Sequence, residues 1–450
     1  MHRVERRAFS LTQPGRRKYH SITVSKTSST ILLFFVAALS GCDKNKSVSQ
    51  AKADTTAAVI SNKLAAIAAA GEPVSFADLS KWYIEPPPGA NAAEIYTQAF
   101  AALTADDPDS AVYVSKNQKA LALLLQAAGR KACRYPIDLN HGLDASLPHL
   151  PKFKNSAILL SSAANIEAGA GRTTTATKDI LAGIQLSRSA ENEPTMISRL
   201  VELSSLAITV RGLEQVLNRR VLSADQLLEI QNALHNAEDA ASFRRVLVCE
   251  RASMINSFQI SPEDWAKLVG TAIDFLIDTN QGAFDLAAYK KTDVYQEDFN
   301  SALDYITALV ERADKPFPEA LEGGDEPKFE NAVGQKFILS SAFLPAAGKA
   351  LNRAAEMAAR LRVAQTALGI ERFRLQHTNA LPGSLTELTS AFLTAVPTDP
   401  FDGQPLRFKK LPGRGYVVYS VGKDRKDDGG IAPAKDKPSS APDTTFTIGR

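Results

Sequence analysis

The sequence predicts a mainly α-helical protein: a large helical domain over residues 61–353, then a small α+β module over 354–432. Two observations carry this. From about residue 92 to 377, apolar residues recur at spacings of three, four and seven, the period of a helix with one buried face. After His377 the pattern changes to turns rich in Pro, Gly and Asp around two alternating stretches of Val, Tyr and Phe. Length sets the scale, because 450 residues exceed the ~250–300 at which a single core stops growing. Two domains, or one elongated helical array, are expected.

The chain opens on a basic leader with Arg3, Arg6, Arg7, Arg16, Arg17, Lys18 and Lys26, followed by an apolar run from Ile31 to Leu39. That order is a secretory signal peptide. The run is about half the ~20 residues a spanning helix needs. It ends in Leu39-Ser40-Gly41-Cys42, which resembles the lipobox of bacterial lipoproteins. The resemblance implies a diacylglycerol on Cys42, cleavage before it, and a protein held at the surface of a bacterial membrane and facing the periplasm. Two or three acyl chains give stable anchoring. Asp43 resembles a signal for retention in the inner membrane.

Residues 42–60 read as a polar tether, and Ala57 to Ala70 as an Ala-rich helix stopped by Gly71 and Pro73. Trp82, Tyr83 and Pro86-Pro87-Pro88-Gly89 form an extended strap. Asn91 is a candidate N-cap for a helix from Ala92 to Leu103, with Glu94 completing a capping box. Helices follow over Ser156 to Ala168, Thr173 to Ala190 and Thr195 to Leu217. The first two, joined at Gly169 to Gly171, look like one helical-hairpin repeat, but no clean period extends along the chain. In the third, Met196, Leu200, Leu203, Ala207, Val210 and Leu217 mark the apolar face. Ser223 caps a helix to about Ala240, Ser242 to Phe258 is another, and Ser261-Pro262 opens the next. Leu303 to Ala313 is helical, residues 315–331 are a loop, and Ala354 to His377 is one long helix with Met357, Leu361, Ala364, Leu368 and Leu375 on one face.

In the final module, Pro405 to Lys410 and Gly415 to Val421 form the expected hairpin. Residues 433–450 read as a disordered tail within which Thr444 to Ile448 is a candidate edge strand. The order of a long helix, Leu381-Pro382, Asp399-Pro400-Phe401-Asp402-Gly403-Gln404-Pro405, then Tyr419-Ser420-Val421-Gly422-Lys423-Asp424 and Gly429-Gly430, resembles the carboxy-terminal part of the major pseudopilin of type II secretion systems. The pseudopilin's amino terminus is absent, so the resemblance implies a reused small module in a lipoprotein and a link to a secretion or envelope complex. It also implies calcium bound by Asp424, Asp427 and Asp428. Lys423, Arg425 and Lys426 offset that acid charge, and a solvated turn is the competing reading.

Composition bounds the rest. The leader holds seven of the 52 Lys/Arg and one of the 49 Asp/Glu, leaving 45 against 48 after it. That near-neutral balance gives no electrostatic footprint for nucleic acid. Cys133 and Cys249 remain after Cys42, as a disulfide or as two buried thiols. The sequence shows none of the common nucleophile, zinc or phosphate-loop motifs. His141 and His149, and Glu250-Arg251 beside Arg244 and Arg245, read as surface groups. The expected function is a lipid-anchored binding or assembly protein that docks a protein partner near the membrane. An envelope hydrolase and a small-molecule-binding lipoprotein are the alternatives. A groove of exposed apolar side chains favours the first, a pocket of perturbed acids or histidines the second, and an enclosed apolar pocket the third.

Overall fold

The computed structural model describes residues 54–104, 109–139, 145–238, 240–264, 285–323, 329–330, 334, 336–431 and 443–450. Helices dominate. They are α1 (54–69), α2 (Phe76–Trp82), α3 (Ala93–Ala102), α4 (Ser110–Lys116), α5 (Gln118–Ala128), α6 (Leu150–Gly169), α7 (Thr173–Arg188), α8 (Met196–Arg219), α9 (Ala224–Ala237), α10 (Ala240–Gln259), α11 (Leu286–Tyr289), α12 (Asp293–Arg312) and α13 (Ile338–Gln376). A three-stranded antiparallel sheet follows, β1 (Arg407–Lys410), β2 (Tyr416–Ser420) and β3 (Thr444–Ile448), in that spatial order. Among the described residues no helix is long and apolar enough to cross a membrane.

Local chemistry explains most boundaries. Thr195 caps α8 by accepting from the Ser198 amide at 3.2 Å, and Glu250 of α10 takes the Met196 amide at 2.7 Å. Ser223 and Gln226 form a reciprocal capping box at the start of α9. The start of α13 is capped from another helix. Asp298 of α12 is fully buried and accepts from the amides of Leu339 (3.0 Å) and Ser340 (3.2 Å) and from the Tyr289 hydroxyl (2.7 Å). A carboxylate there satisfies orphan amides and complements the helix dipole. Asn91 Oδ1 accepts from the Ala93 amide at 3.1 Å at the start of α3, as expected of a capping residue, although the N-cap position itself falls on Ala92. The same side chain also bridges to Arg134, donating to the carbonyl and accepting from the amide, both at 2.9 Å, and Glu94 makes no capping box.

Helices α6, α7 and α8 pack closely because small residues meet. A Cβ on Gly212 of α8 would lie 2.8 Å from Ser161 of α6, and one on Gly183 of α7 would lie 2.8 Å from Thr209 of α8. The face of α8 is shifted from the expected one. Leu200 is 40% exposed, while Met196, Arg199, Leu203, Leu206, Val210, Leu213 and Leu217 are buried in strict three-four steps. On α13, Leu375 is likewise exposed, at the helix end.

Three expected divisions change. The tether ends earlier, since 54–60 already belong to α1, where Ile60 is buried and Lys63 donates to Asn300 of α12 at 2.7 Å. The boundary at 353/354 falls inside α13, which runs unbroken through it and through Pro345. One apolar cluster joins α6–α9, α13 and all three strands except the exposed β1 ends, so helical body and sheet share a core. All described residues belong to one unit. The tail read as disordered ends in the edge strand that its sequence offered, Thr444–Ile448: β3 pairs with β2 from Tyr416↔Ile448 to Ser420↔Thr444. The hairpin itself is as expected, with Arg407↔Tyr419 to Lys410↔Tyr416 in register.

Candidate functional site

A partly enclosed cleft of about 280 Å³ opens where α8, the α9–α10 junction, the end of α12 and the middle of α13 meet. Small side chains make the space. Ala354 and Ala358, one turn apart on α13, face Ala237, Ala313 and Ala320, and none fills the gap between helices. The walls are mostly apolar, with Leu203, Phe243, Met357 and Leu361 prominent. Four charged residues border it: Arg199, Arg362, Lys315 and Glu238.

These charges differ in environment. Arg362 Nε donates to Glu238 Oε1 at 2.6 Å and its Nη1 to the Thr398 carbonyl at 2.8 Å, tying α13 to the end of α9 and to the 398 turn. Gln365 donates to the other oxygen of Glu238 at 3.0 Å. Lys315 meets Glu319 at 3.3 Å with both side chains about half exposed, a pair of little energetic weight. The Arg199 side chain is only 7% exposed and donates through Nη1 to Glu202 Oε1 at 2.5 Å. Its Nε and the Glu202 Oε2 have no hydrogen-bond partner among the described residues. Burial pushes the Glu202 carboxyl up, against the pull of Arg199.

Cys42 and Asp43 lie outside the described residues, as does His141. Two of the three calcium candidates accept from amides of their own turn. Asp424 accepts from the Lys426 amide at 3.1 Å and Asp427 from the Gly429 amide at 2.9 Å. The Asp428 amide donates to Asp443, which also holds the Gly430 amide at 2.7 Å. Gly429 and Gly430 both have positive φ, so they shape the turn. Among the described residues no group of three or more His, Cys, Asp or Glu is placed to hold a metal ion.

The turn series around Asp399 has a structural explanation. Asp399 is fully buried and accepts from the Val421 amide (2.8 Å), the Phe401 amide (3.0 Å), Ser420 Oγ (2.9 Å) and Arg407 Nη1 (2.6 Å). It pins the turn series to the end of β2.

Two surface expectations are corrected. His149 is buried, stacked on Tyr135 with centroids 4.2 Å apart and bonded to Glu193 at 2.7 Å. Ser198 also donates to Glu193, which puts the carboxylate rather than the imidazole between the two, the wrong order for a serine nucleophile. Arg251 is buried too and pairs with Glu72, which Arg244 also holds at 2.7 Å. Burial opposes ionisation of Glu72, yet the two guanidinium groups keep its carboxyl below the usual range. Cys133 and Cys249 are free thiols in different parts of the core, and burial pushes both up to about 12. That makes them poor nucleophiles. No family model matches the chain, and no curated protein or solved structure matches it.

Proposed function

We propose that this protein is a lipid-anchored bacterial envelope protein that binds a small molecule in the cleft between α8, α10, α12 and α13. The cleft carries the reading: it is partly enclosed and mostly apolar, with a few charged groups at its border, the form small-molecule sites take. The anchor rests on the leader and on Leu39-Ser40-Gly41-Cys42. A protein partner on the outside of the helical body is the second reading, favoured by Ile197 and Leu200, exposed one turn apart on α8.

The test uses the full chain, leader included, made in a Gram-negative host. The protein fractionates with membranes, and its amino-terminal peptide carries the mass of a lipidated Cys42. Cys42→Ser moves it to the soluble fraction, and an unmodified peptide at Cys42 overturns the anchor. Detergent-extracted protein binds hydrocinnamyl alcohol saturably by calorimetry, and Ala358→Phe, which fills the cleft, abolishes the heat. Unchanged binding in that variant overturns the site.

A further inference from the structure

We infer that the cleft takes a small organic anion: an apolar ring or short chain against Leu361, Met357 and Phe243, and a carboxylate or similar acidic head towards Arg199 and Lys315. The inference rests on the reading of the cleft as a small-molecule site and adds the charge of its ligand.

Three observations support it. The first is the charge at the border, where Arg199, Arg362 and Lys315 outnumber Glu238; Glu238 is taken up by Arg362 and Gln365, and Lys315 has only a loose, half-exposed pairing with Glu319. The second is the state of Arg199. A guanidinium that is nearly out of water and has Glu202 as its one carboxylate among the described residues keeps its Nε uncommitted, and Glu202 does not border the cleft. A desolvated charge is costly unless paired, so the site gains from an incoming anion. The third is the wall. Low-dielectric surroundings strengthen the field of cations at the border, and the apolar lining rewards a hydrocarbon body. A cleft of about 280 Å³ lies near the lower end for small-molecule sites, which excludes long acyl chains and large cofactors.

The source of the position is visible in α8. Arg199 sits on the buried ladder between Met196 and Leu203, where an apolar residue would fill the space at no electrostatic cost.

The experiment compares hydrocinnamate with hydrocinnamyl alcohol, which share one body and differ in the charged head. Calorimetry on the detergent-extracted lipoprotein gives affinities about tenfold or more in favour of the acid. The double variant Arg199→Met/Glu202→Met removes both buried charges together, so neither is left unpaired. It loses most of the preference for the acid, and Lys315 sustains the remainder. Lys315→Gln, at a half-exposed position, keeps the fold and narrows the preference. Equal affinity of wild type for acid and alcohol, with both lost in Ala358→Phe, overturns the anion and leaves the site standing. No saturable binding of either compound overturns both. A preference undiminished in the double variant overturns the role of Arg199.

Discussion

At the scale of single residues, this protein places charge where the local pattern calls for hydrocarbon. Asp179 of α7 is 1% exposed, and neither of its carboxyl oxygens has a hydrogen-bond partner among the described residues. Burial, with Glu167 adding repulsion, raises it to about 7 from the 3.8 of an unfolded aspartate. The folded state therefore holds more protons than the unfolded state between those values, and stability falls as pH rises through that window. Below pH ~4 the side chain is neutral in both states and costs nothing, whereas above ~7 the full penalty applies. Asp179→Asn removes it. At pH ~8 the variant is more stable than wild type by about 2–4 kcal/mol, and the gap closes towards pH ~4. Urea unfolding at the two pH values checks this; a gap that is constant with pH sinks it. Asp298 and Asp399 show the opposite solution, since each is buried with a full set of donors. Removing either leaves amides without partners, which is the costly way to lose a hydrogen bond.

At the scale of elements, β3 is the instructive case. An edge strand presents unpaired amides and carbonyls on its outer side. Here α8 supplies partners for them. Glu214 accepts from the Thr447 amide at 2.6 Å, Asn218 donates to the Thr447 carbonyl at 2.8 Å, and the Gly449 amide donates to Asn218 at 2.8 Å. Phe446 and Ile448 face the shared core, so the strand has both an apolar anchor and a polar clasp. Glu214→Ala with Asn218→Ala removes the clasp alone. The expected cost is about 1–3 kcal/mol, with amides of 444–448 exchanging faster while those of β2 are little changed. Unaltered exchange at 444–448 means that packing holds the strand by itself. Nothing in the composition of the preceding Pro-, Ser- and Lys-rich stretch marks this, because the clasp comes from residues more than two hundred positions away.

At the scale of the whole molecule, the helical class, the hairpin and its register partner stretches were legible because they rest on local period and turn chemistry. The cleft was not. Reading α8 from its apolar residues alone selects Leu200, whereas the buried ladder passes through Arg199, and a hydrophobic count has no way to admit a guanidinium. The boundary at 353/354 was set by the extent of the stretch that resembles a separate module, yet α13 runs unbroken through it and through Pro345. That continuity has a consequence. Helix α13 packs its first half among α10 and α12 and its second half under the sheet, while α8 reaches the same clusters from the other side. The sheet and the α10–α12 part of the body both share their cores with α13, whereas the α3–α7 cluster holds no α13 residue and is tied in through α6 and α7, so cooperative unfolding spans body and sheet. Calorimetry should show one transition with matching calorimetric and van 't Hoff enthalpies for residues 54–450. Leu361→Ala, at a position 1% exposed, costs about 2–5 kcal/mol and lowers the midpoint equally for amides of Phe76–Trp82 and of Tyr416–Ser420. If the strand amides lose protection well before those of α2, the sheet is a separate cooperative unit and α13 a linker between two domains. The cleft lies on the stretch of α13 that joins the two clusters, so in the single-unit case any ligand there stabilises the entire fold by mass action.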